Sequence, residues 1–268
     1  MTADLETAIV DYRRRRDGLA LFDANCWLGD PLTPAFAPTL GTGELSARLS
    51  RYGIKRALLS HTTCVRYDPA AGNHILLEAL GDLPGFFGAV ALVPQSAGGS
   101  PWTDELRSLI AARVRAVRLF PALHRFLLSD EPSQALLASM QDLRLPLILW
   151  HTQTRWRDIG QICSRFPRLP VIVEGAGKKL FYDNRIYYPM LQRLPNLLLE
   201  LHNVTNYLGL DDMVRRFGSA HFLFGSYFPH EEPGSVTMLL THGDLPDDDR
   251  LNIAGRNLQR LIDEVDPR

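Results

Sequence analysis

The sequence predicts an α/β protein in which eight parallel strands alternate with helices to form a (β/α)8 TIM barrel. Three observations support this prediction. Short, continuous apolar runs recur along the chain, bounded by Pro, Gly or polar residues, and amphipathic segments separate them. Such runs are typical of strands that are buried on both faces, as parallel strands are. The length of 268 residues suffices for one barrel with its surrounding helices.

The predicted strands follow one another at intervals that leave room for a helix. The first, "LFDANCW", is followed by a Gly but by no Gly-rich dinucleotide-binding fingerprint. That weighs against the alternative architecture, a doubly wound open sheet. The predicted strands span residues 21–27, 56–61, 86–94, 114–121, 146–152, 170–176, 196–203 and 221–229.

The segments between the strands carry helix signals. In "SPWTDELRSLIAAR", Ser100 is a candidate N-cap and Pro101 stands at the first helical position. The stretch "SDEPSQALLASMQDLR" offers Ser129 or Asp130 as its cap. Both "WRDIGQICSRFP" and "NRIYYPMLQRLP" end at a Pro, which stops a helix. The last segment, "PDDDRLNIAGRNLQRLIDEV", begins with three acids that suit a helix N-terminus.

The chain shows no linker-like change of composition, no internal repeat and no low-complexity tract. We therefore expect a single domain over residues 1–268, with residues 1–20 as an N-terminal helical extension. This extension contains four consecutive arginines, Arg13 to Arg16. We interpret them as a solvated helix end, and a contact with an anion or a partner is the alternative.

Composition and charge narrow the class of protein. The formal net charge is -1, so no basic field points to nucleic acid or to a membrane surface. No apolar run has the length of a membrane span, and the N-terminus lacks a signal-peptide pattern. Three widely spaced cysteines predict reduced thiols rather than disulfides. We expect a cytoplasmic protein with a small-molecule substrate, and both a monomer and a homo-oligomer stay open.

Polar side chains gather where the predicted strands end. In barrels of this kind the active site lies at the carboxyl ends of the strands. Burying so many polar groups without partners would cost several kcal/mol, so they should serve a hydrogen-bond network or a ligand. The side chains that we expect at the barrel mouth are those of Asn25, Trp27, His61, Arg118, Phe120, His151, Glu174, Glu200, His202 and Tyr227.

Six stretches, taken in their order and spacing, resemble the amidohydrolase superfamily. "FDANCWLG" stands where that family has Asp-X-His-X-His and a Gly, and "VRLFPALHRFLLSD" resembles its fourth strand and following loop. "PLILWHTQ", "VIVEGAG", "FLFGSYFPH" and "IAGRNLQRLI" resemble its later strands and closing helix. The resemblance is to the amidohydrolase-related branch, which includes aminocarboxymuconate-semialdehyde decarboxylase, γ-resorcylate decarboxylase and pyrone dicarboxylate lactonase.

The resemblance implies a metal centre, but the metal-ligand positions depart from the family pattern. Asn25 and Trp27 replace two His ligands, Glu174 replaces a third, and Tyr227 replaces the Asp of the family; only His151 stands where expected. An Asn carbonyl is a weak metal donor and an indole has no lone pair to offer. We therefore expect no cofactor. The alternative is zinc or another divalent metal at a relocated site made of His151, Glu174 and His202.

We assign four residues to catalysis. His151 is predicted to act as general acid or base, oriented by Glu174. The alternative for His151 is a core histidine that a carboxylate satisfies. Glu174 could itself be the base, or a structural partner of Arg118 or Lys178. Tyr227 could donate to a developing oxyanion or only pack, while His202 is a further polar wall.

Six residues are assigned to substrate binding. Arg118 is predicted to bind a substrate carboxylate through its planar fork, and a buried ion pair with Glu174 or Glu200 is the alternative. Trp27 fills the core or stacks on a ligand. A further aromatic surface near the upper loops would favour an apolar or aromatic substrate: Trp150, Phe181, Tyr182, Tyr187 and Tyr188. The remaining predicted binding residues are Asn25, His61, Phe120 and His230.

Three functions follow from these assignments. The leading hypothesis is an amidohydrolase-related hydrolase or lyase that acts on a small carboxylated or aromatic molecule by side-chain acid–base catalysis. The second is a metal-dependent hydrolase or decarboxylase with the relocated metal site. The third is a non-catalytic barrel that serves as a binding protein.

Overall fold

The structure is a computed structural model that describes residues 2–32, 39–94, 102–175, 180–204 and 208–266. Eight parallel strands lie side by side in chain order, each hydrogen-bonded to the next. This confirms the predicted (β/α)8 barrel. The strands are β1 (Phe22–Leu28), β2 (Arg56–His61), β3 (Phe86–Ala91), β4 (Val114–Leu119), β5 (Leu147–Trp150), β6 (Val171–Glu174), β7 (Leu197–Glu200) and β8 (Phe222–Leu223).

The first and last strands meet and close the ring. The backbone N–H of Ala24 donates to the carbonyl of Phe224 at 2.9 Å. Further along the seam, the N–H of Tyr227 donates to the Asn25 carbonyl, and the N–H of Trp27 to the Phe228 carbonyl, both at 2.8 Å. A doubly wound sheet would leave these edges apart, so the open-sheet alternative is excluded.

Helices cover the outside of the ring within the described part of the chain. Twelve α-helices follow the strands and precede β1, and a π-helical stretch, Asn252–Arg256, joins the last two. Their bounds are α1 (Thr2–Asp17), α2 (Thr42–Arg51), α3 (Thr63–Arg66), α4 (Pro69–Ala79), α5 (Trp102–Ala111), α6 (Glu131–Asp142), α7 (Trp156–Arg165), α8 (Asn184–Leu191), α9 (Gly209–Phe217), α10 (Gly234–His242), α11 (Asp247–Leu251) and α12 (Asn257–Asp263).

Two helices begin directly after an aspartate, and in α4 the aspartate side chain caps the helix. Asp68, the cap of α4, accepts from the backbone N–H groups of Ala70 and Ala71 at 2.8 and 3.2 Å. Asp130 occupies the cap position of α6, one of the two predicted there. The predicted cap Ser100 and Pro101 lie outside the described residues, and so does Lys178.

The helical extension contains α1, which is held to the barrel by its carboxyl-terminal half. Arg15 donates to the carbonyl of Thr241 at 3.2 Å, and Arg16 donates to that of Arg51 at 2.8 Å. The rings of Tyr12 and His242 stack with centroids 6.1 Å apart. The arginine run thus combines contacts to the barrel with ion pairs along its own helix, from Arg14 and Arg15 to Asp11. Within the described part of the chain, every helix is too short or too polar to span a bilayer.

The eighth strand is shorter than the predicted 221–229. After Leu223 the backbone leaves the ladder, and the N–H of Phe224 donates to the carbonyl of Ile253 at 2.9 Å. Gly225 then passes so close to β7 that a Cβ built there would lie 2.1 Å from Oε1 of Glu200. The peptide bond between Phe228 and Pro229 is cis. The apolar run 221–229 therefore forms a two-residue strand followed by a turn.

The inside of the barrel is layered because side chains along a strand alternate between its two faces. The lowest layer is apolar and includes Leu58, Ala116, Ile148, Ile172 and Leu198, all buried. Two residues further along the same strands stand Ser60, Arg118, Trp150, Glu174 and Glu200. The polar side chains inside the barrel thus lie above this apolar layer, which forms the floor of the site.

Candidate functional site at the carboxyl end of the barrel

A buried polar layer fills the barrel above its apolar floor. It consists of Asn25, Ser60, Arg118, Glu174, Glu200 and His202, contributed by the carboxyl ends of β1, β2, β4, β6 and β7. None of these residues is more than 2% exposed. Such a layer is costly unless its members satisfy one another, so its hydrogen bonds decide what it can do.

Arg118 is the centre of the polar layer. Its Nε donates to Oγ of Ser60 at 2.7 Å, Nη1 to Oε2 of Glu174 at 2.5 Å, and Nη2 to Oδ1 of Asn25 at 3.3 Å. The guanidinium carbon lies 4.6 Å from the ring centroid of Trp27. The buried ion pair with Glu174, one of the alternatives for Arg118, is therefore formed. A planar guanidinium is suited to this combination of ion pairing and stacking.

Glu174 is only half satisfied. Its Oε2 accepts from Arg118 and from the indole Nε1 of Trp150 at 3.0 Å. Its Oε1 is buried and has no hydrogen-bond partner among the described residues. Burial raises the pKa of Glu174 above its ordinary value and the nearby Glu200 adds to the rise, whereas Arg118 opposes it. Glu174 therefore holds its charge less firmly than a solvated carboxylate.

Glu200 and His202 form a second ion pair, which β7 brings together at a spacing of two residues. Oε2 of Glu200 pairs with Nδ1 of His202 and accepts from Nδ2 of Asn25 at 3.0 Å, while Oε1 accepts from the N–H of His202 at 2.7 Å. Burial disfavours the charged imidazole, but the Glu200 carboxylate outweighs it and raises the pKa of His202. The Glu200 carboxylate thus favours the protonated form of His202 inside the polar layer.

Asp23 ties the first strand to the last beneath this layer. Its Oδ1 accepts from the N–H groups of Asn25 and Ser226, each at 2.9 Å, and its Oδ2 pairs with the Ser226 hydroxyl. Burial is the largest influence on this carboxyl and raises its pKa to about 7, although the hydrogen bonds from Ser226 and Asn25 lower it. Asp23 was not among the predicted site residues.

An aromatic layer covers the polar layer. We define it as Trp27, Phe120, Trp150, Tyr227 and His230. Neighbouring rings have centroids 4.7 to 6.4 Å apart, the shortest being Tyr227 to His230. Trp27 is fully buried, Phe120 is 1% exposed and Tyr227 is 9% exposed. The indole N–H of Trp27 donates to Oδ1 of Asn25 at 2.8 Å. This hydrogen bond connects the aromatic layer to the polar layer.

Tyr227 and His230 come from the turn that follows β8. Tyr227 has a φ of 58°, a left-handed backbone that is uncommon for a bulky residue, and its ring stacks on His202 with centroids 4.7 Å apart. Burial raises the pKa of the Tyr227 phenol. Both ring nitrogens of His230 are buried without a partner among the described residues, and burial lowers its pKa to about 4. His230 is therefore neutral at ordinary pH.

The structure places His151 and His61 differently from the expectation. Since Trp150 points into the barrel, the next residue faces outward, and the His151 ring stacks on Trp156 of α7 at 6.2 Å. Its Nδ1 lies 3.1 Å from the main-chain carbonyl of Glu174, so the predicted pairing with the Glu174 carboxylate is not formed. His61 likewise follows the inward Ser60, and its Nδ1 accepts from the N–H of Thr63 at 3.2 Å.

Of the additional aromatic residues, only Trp150 belongs to the aromatic layer. Tyr187 is buried against Trp156 and Tyr188, outside the barrel. Tyr182 is 79% exposed, and the side chain of Phe181 lies outside the described residues. The expectation of a large aromatic surface near the upper loops is therefore met by fewer residues than predicted.

The polar layer does not fit the metal centre that the resemblance implies. No group of three or more His, Cys, Asp or Glu side chains in the described residues is arranged to hold a metal ion. The relocated set is not assembled, because Glu174 pairs with Arg118, His202 pairs with Glu200, and His151 lies against Trp156. The guanidinium of Arg118 would also repel a cation placed beside Asn25 or Glu174.

Besides Asp23, sequence reasoning did not name Ser60 as a site residue, and it assigned Trp150 only to the aromatic surface near the upper loops. Ser60 orients Arg118, and Trp150 donates to Glu174. Strand alternation could have found both. Counting in steps of two from the apolar Leu58 and Ile148 gives Ser60 and Trp150 as the inward residues, rather than the histidines that follow them.

Comparison with known proteins agrees with the barrel fold. The sequence pattern of a family described as amidohydrolase matches residues 35–262. None of the curated proteins compared with the chain matches its sequence.

Solved structures share the fold at low sequence identity. The 5-carboxyvanillate decarboxylase of Sphingomonas paucimobilis superposes with a TM-score of 0.70 at 14% identity, covering 91% of this chain and 99% of that one. A candidate 2-pyrone-4,6-dicarboxylic acid hydrolase of Pseudomonas putida gives 0.67 at 16% identity, covering 92% and 98%. A dihydroxybenzoic acid decarboxylase of Polaromonas sp. JS666, solved with manganese and the inhibitor 2-nitroresorcinol, gives 0.64 at 14% identity, covering 90% and 97%. Because the family pattern spans most of the chain and the barrel is shared, the chain belongs to the amidohydrolase family.

Proposed function

We propose that this chain is an amidohydrolase-family hydrolase or lyase that acts on a small carboxylated aromatic molecule with side-chain acid–base groups in place of a metal ion. The substrate class is supported by the structural relatives, which include decarboxylases of 5-carboxyvanillate and 2,6-dihydroxybenzoate. The replacement of the metal is supported by the polar layer, in which Arg118 supplies a positive charge and Glu200 favours the protonated form of His202.

The observation that carries this proposal is the unpaired oxygen of Glu174. A buried carboxylate oxygen without a partner is rare in native proteins, and a catalytic role is one explanation for such a group. Oε1 of Glu174 has no partner among the described residues, although Oε2 accepts two hydrogen bonds. The raised pKa brings this carboxyl closer to the pH at which it can both accept and donate a proton.

Glu174 would move the proton of the reaction. In a decarboxylation, its acid form would donate a proton to the ring carbon that carries the carboxylate, and the carbon–carbon electron pair would return to the ring as CO2 leaves. In a hydrolysis, its carboxylate would instead take a proton from the attacking water. In both cases solvent restores the starting protonation state of Glu174. Arg118 would stabilise the negative charge of the substrate, and the Tyr227 phenol would donate to a developing oxyanion.

Substrate entry requires movement of the aromatic layer. Trp27 is fully buried and bonded to Asn25, so it forms a fixed wall. Tyr227 and His230 belong to the turn after β8, and the His230 ring makes no hydrogen bond to the described residues. We expect this turn, rather than Trp27, to open the path to Glu174.

A non-catalytic barrel is the second candidate function, and the closure of the site favours it. Arg118 is 1% exposed and already bonded to Ser60, Glu174 and Asn25. A substrate carboxylate would have to replace one of these partners. In a binding protein the same network would serve only to stabilise the barrel.

The first prediction separates the two functions. We expect the chain to turn over at least one compound from a panel of hydroxybenzoates and 5-carboxyvanillate. Turnover is measured as loss of ultraviolet absorbance and release of CO2. Glu174→Gln, which keeps the shape of the side chain, should lower kcat by about 10²–10⁴-fold because the proton-transferring group is lost. The matched control is His74→Gln on α4, whose side chain is 74% exposed and distant from the polar layer.

His151→Gln, measured in the same assay, tests the catalytic role predicted for that residue. Because the His151 ring lies against Trp156, we expect a smaller loss than for Glu174→Gln. A larger loss of kcat in His151→Gln than in Glu174→Gln would indicate that His151, and not Glu174, transfers the proton. Absence of turnover over the whole panel, in protein that unfolds cooperatively, would favour the non-catalytic barrel.

A further inference from the structure

Arg66 is a cation at the mouth of the barrel that forms no ion pair with a described residue. It is the last residue of α3, the short helix that follows β2, and it is half-buried. Its Nη2 donates to the carbonyl of Pro31, just beyond the end of β1, which holds the guanidinium in place but does not neutralise it. The acids that are near in sequence have other partners, since Asp30 accepts from Thr39 at 2.7 Å and Asp68 caps α4.

His230 lies near Arg66, on the turn that follows β8. Burial is the main cause of the low pKa of His230, and the positive charge of Arg66 lowers it further, an effect that acts over short distances. The adjacent acid, Glu231, has its charge close to His202. The neutral imidazole of His230 offers one N–H donor and one lone pair, and both nitrogens are buried without a partner among the described residues. Since buried polar atoms are normally hydrogen-bonded, these nitrogens favour a ligand or an ordered water at this place.

The inner cation is less suited to bind an anion. Arg118 is 1% exposed and bonded to Ser60, Glu174 and Asn25. An anion at Arg118 would have to replace one of these partners, whereas an anion at Arg66 would replace no carboxylate of the described residues. Arg66 is therefore better placed to bind a negatively charged molecule that enters the barrel.

Apolar side chains border Arg66. Val65 and Leu32 pack against the apolar cluster that contains most of the aromatic layer. Val65 is the residue before Arg66, and Leu32 follows Pro31, to which Arg66 bonds. A bare inorganic anion at Arg66 would make no use of these apolar side chains. A ligand with an acidic group on an aromatic body would contact both kinds of surface.

We infer that Arg66 and His230 form an outer anion-binding subsite, which holds an acidic group of the substrate other than the one that reacts at Glu174. The guanidinium nitrogens that do not bond to Pro31 would donate to this group, and the N–H of His230 would add a further donor. The inference rests on the proposed function for the aromatic nature of the substrate and for the reaction at Glu174. It adds that the substrate carries a second acidic group.

The outer subsite and Glu174 are separated by about the width of an aromatic side chain. The ring centroid of Trp27 lies 6.1 Å from that of His230 and 4.6 Å from the guanidinium carbon of Arg118. Arg118 in turn bonds to Glu174 at 2.5 Å. This spacing suits a benzene ring that carries acidic groups at two positions.

Calorimetric titration of the wild-type chain with isophthalate and with isophthalamide, its uncharged analogue of similar shape, tests the inference. Isophthalate should bind about tenfold tighter, because its carboxylate forms a charge-assisted hydrogen bond with Arg66. Arg66→Gln should raise the dissociation constant of isophthalate about tenfold and leave that of isophthalamide within about twofold. His230→Phe, which keeps an aromatic ring but loses the N–H, should weaken isophthalate by a smaller factor. The matched control is Arg157→Gln on α7, an exposed arginine without an ion pair to a described residue, which should change neither constant.

Three outcomes would overturn the inference: equal affinity of the wild type for the two probes, a preference for isophthalate that survives Arg66→Gln, and absence of binding by both probes. Arg66→Lys keeps the charge and should retain most of the preference, which would show that the loss in Arg66→Gln does not come from misfolding.

The titration also separates the outer subsite from the proposed function, because it requires no turnover. A preference for isophthalate that depends on Arg66, in a chain that turns over no compound of the panel, would refute the proposed chemistry and keep the subsite. Turnover of the panel by a chain that lacks this preference would refute the subsite alone.

Discussion

Arg118 places a fixed positive charge at the centre of the polar layer. Its guanidinium joins Asn25, Ser60 and Glu174 and stacks on Trp27, so a covalently attached cation lies among groups that would otherwise surround an ion. A metal can dissociate and a guanidinium cannot. Burying the Arg118–Glu174 ion pair carries a large desolvation cost, so its presence is weak evidence that it stabilises the fold.

At the residue scale, the raised pKa of Asp23 gives a testable pH dependence. The carboxyl binds its proton more tightly in the folded chain, where its pKa is about 7, than in the unfolded chain. Its contribution to stability is therefore complete at low pH and is lost as pH rises toward 7.

The expected result is a pH-dependent difference between the wild type and Asp23→Asn. The variant keeps an acceptor for the N–H groups of Asn25 and Ser226 but cannot ionise. Relative to the wild type, it should gain about 1–3 kcal/mol of unfolding free energy between pH 5 and pH 8, measured by urea denaturation at both values. If the difference between the two proteins were independent of pH, the carboxyl would have an ordinary pKa.

At the scale of the element, the turn after β8 depends on the missing side chain of Gly225. A Cβ there would lie 2.1 Å from Oε1 and 2.5 Å from Cγ of Glu200. Gly225→Ala should therefore displace Glu200 and destabilise the chain by about 2–4 kcal/mol, read from the urea midpoint.

Gly234→Ala is the matched control for this turn. A Cβ at Gly234 has no heavy atom within 4 Å, so we expect a change within about 0.5 kcal/mol. Equal effects of the two substitutions would mean that the close approach of β7 to this turn has no energetic consequence.

The strands also show which parts of the site could be predicted from sequence. The apolar runs predict the order of the strands, and the residues at the end of each run predict a polar site there. Arg118, Glu174 and His202 were predicted to lie inside the barrel, and they are buried. The sequence did not predict whether the last residue of a strand faces into the barrel. His61 and His151 each lie one position beyond the residue that points inward. A shift of one residue along a strand reverses the face on which a side chain lies. His61 and His151 were therefore predicted to point inward in place of Ser60 and Trp150.

At the scale of the molecule, the chain should be indifferent to divalent metals. Arg118 and His202 supply positive charge from within, paired with Glu174 and Glu200. We expect addition of zinc or manganese at tenfold excess, or of EDTA, to shift the Tm by less than about 1 °C, since a ligand stabilises only a folded state that binds it. A saturable rise in Tm with either metal would show a site that the described residues do not reveal.

The contacts between β1 and the segment after β8 have a consequence for assembly. Asp23 meets Ser226 across 203 positions of sequence, and the neighbouring backbone bonds span similar separations. The outer edge of β1 therefore stays unpaired until the chain has been synthesised beyond Ser226. A fragment that stops before Phe222 would expose the free edges of β1 and β7 and should associate with other copies through them.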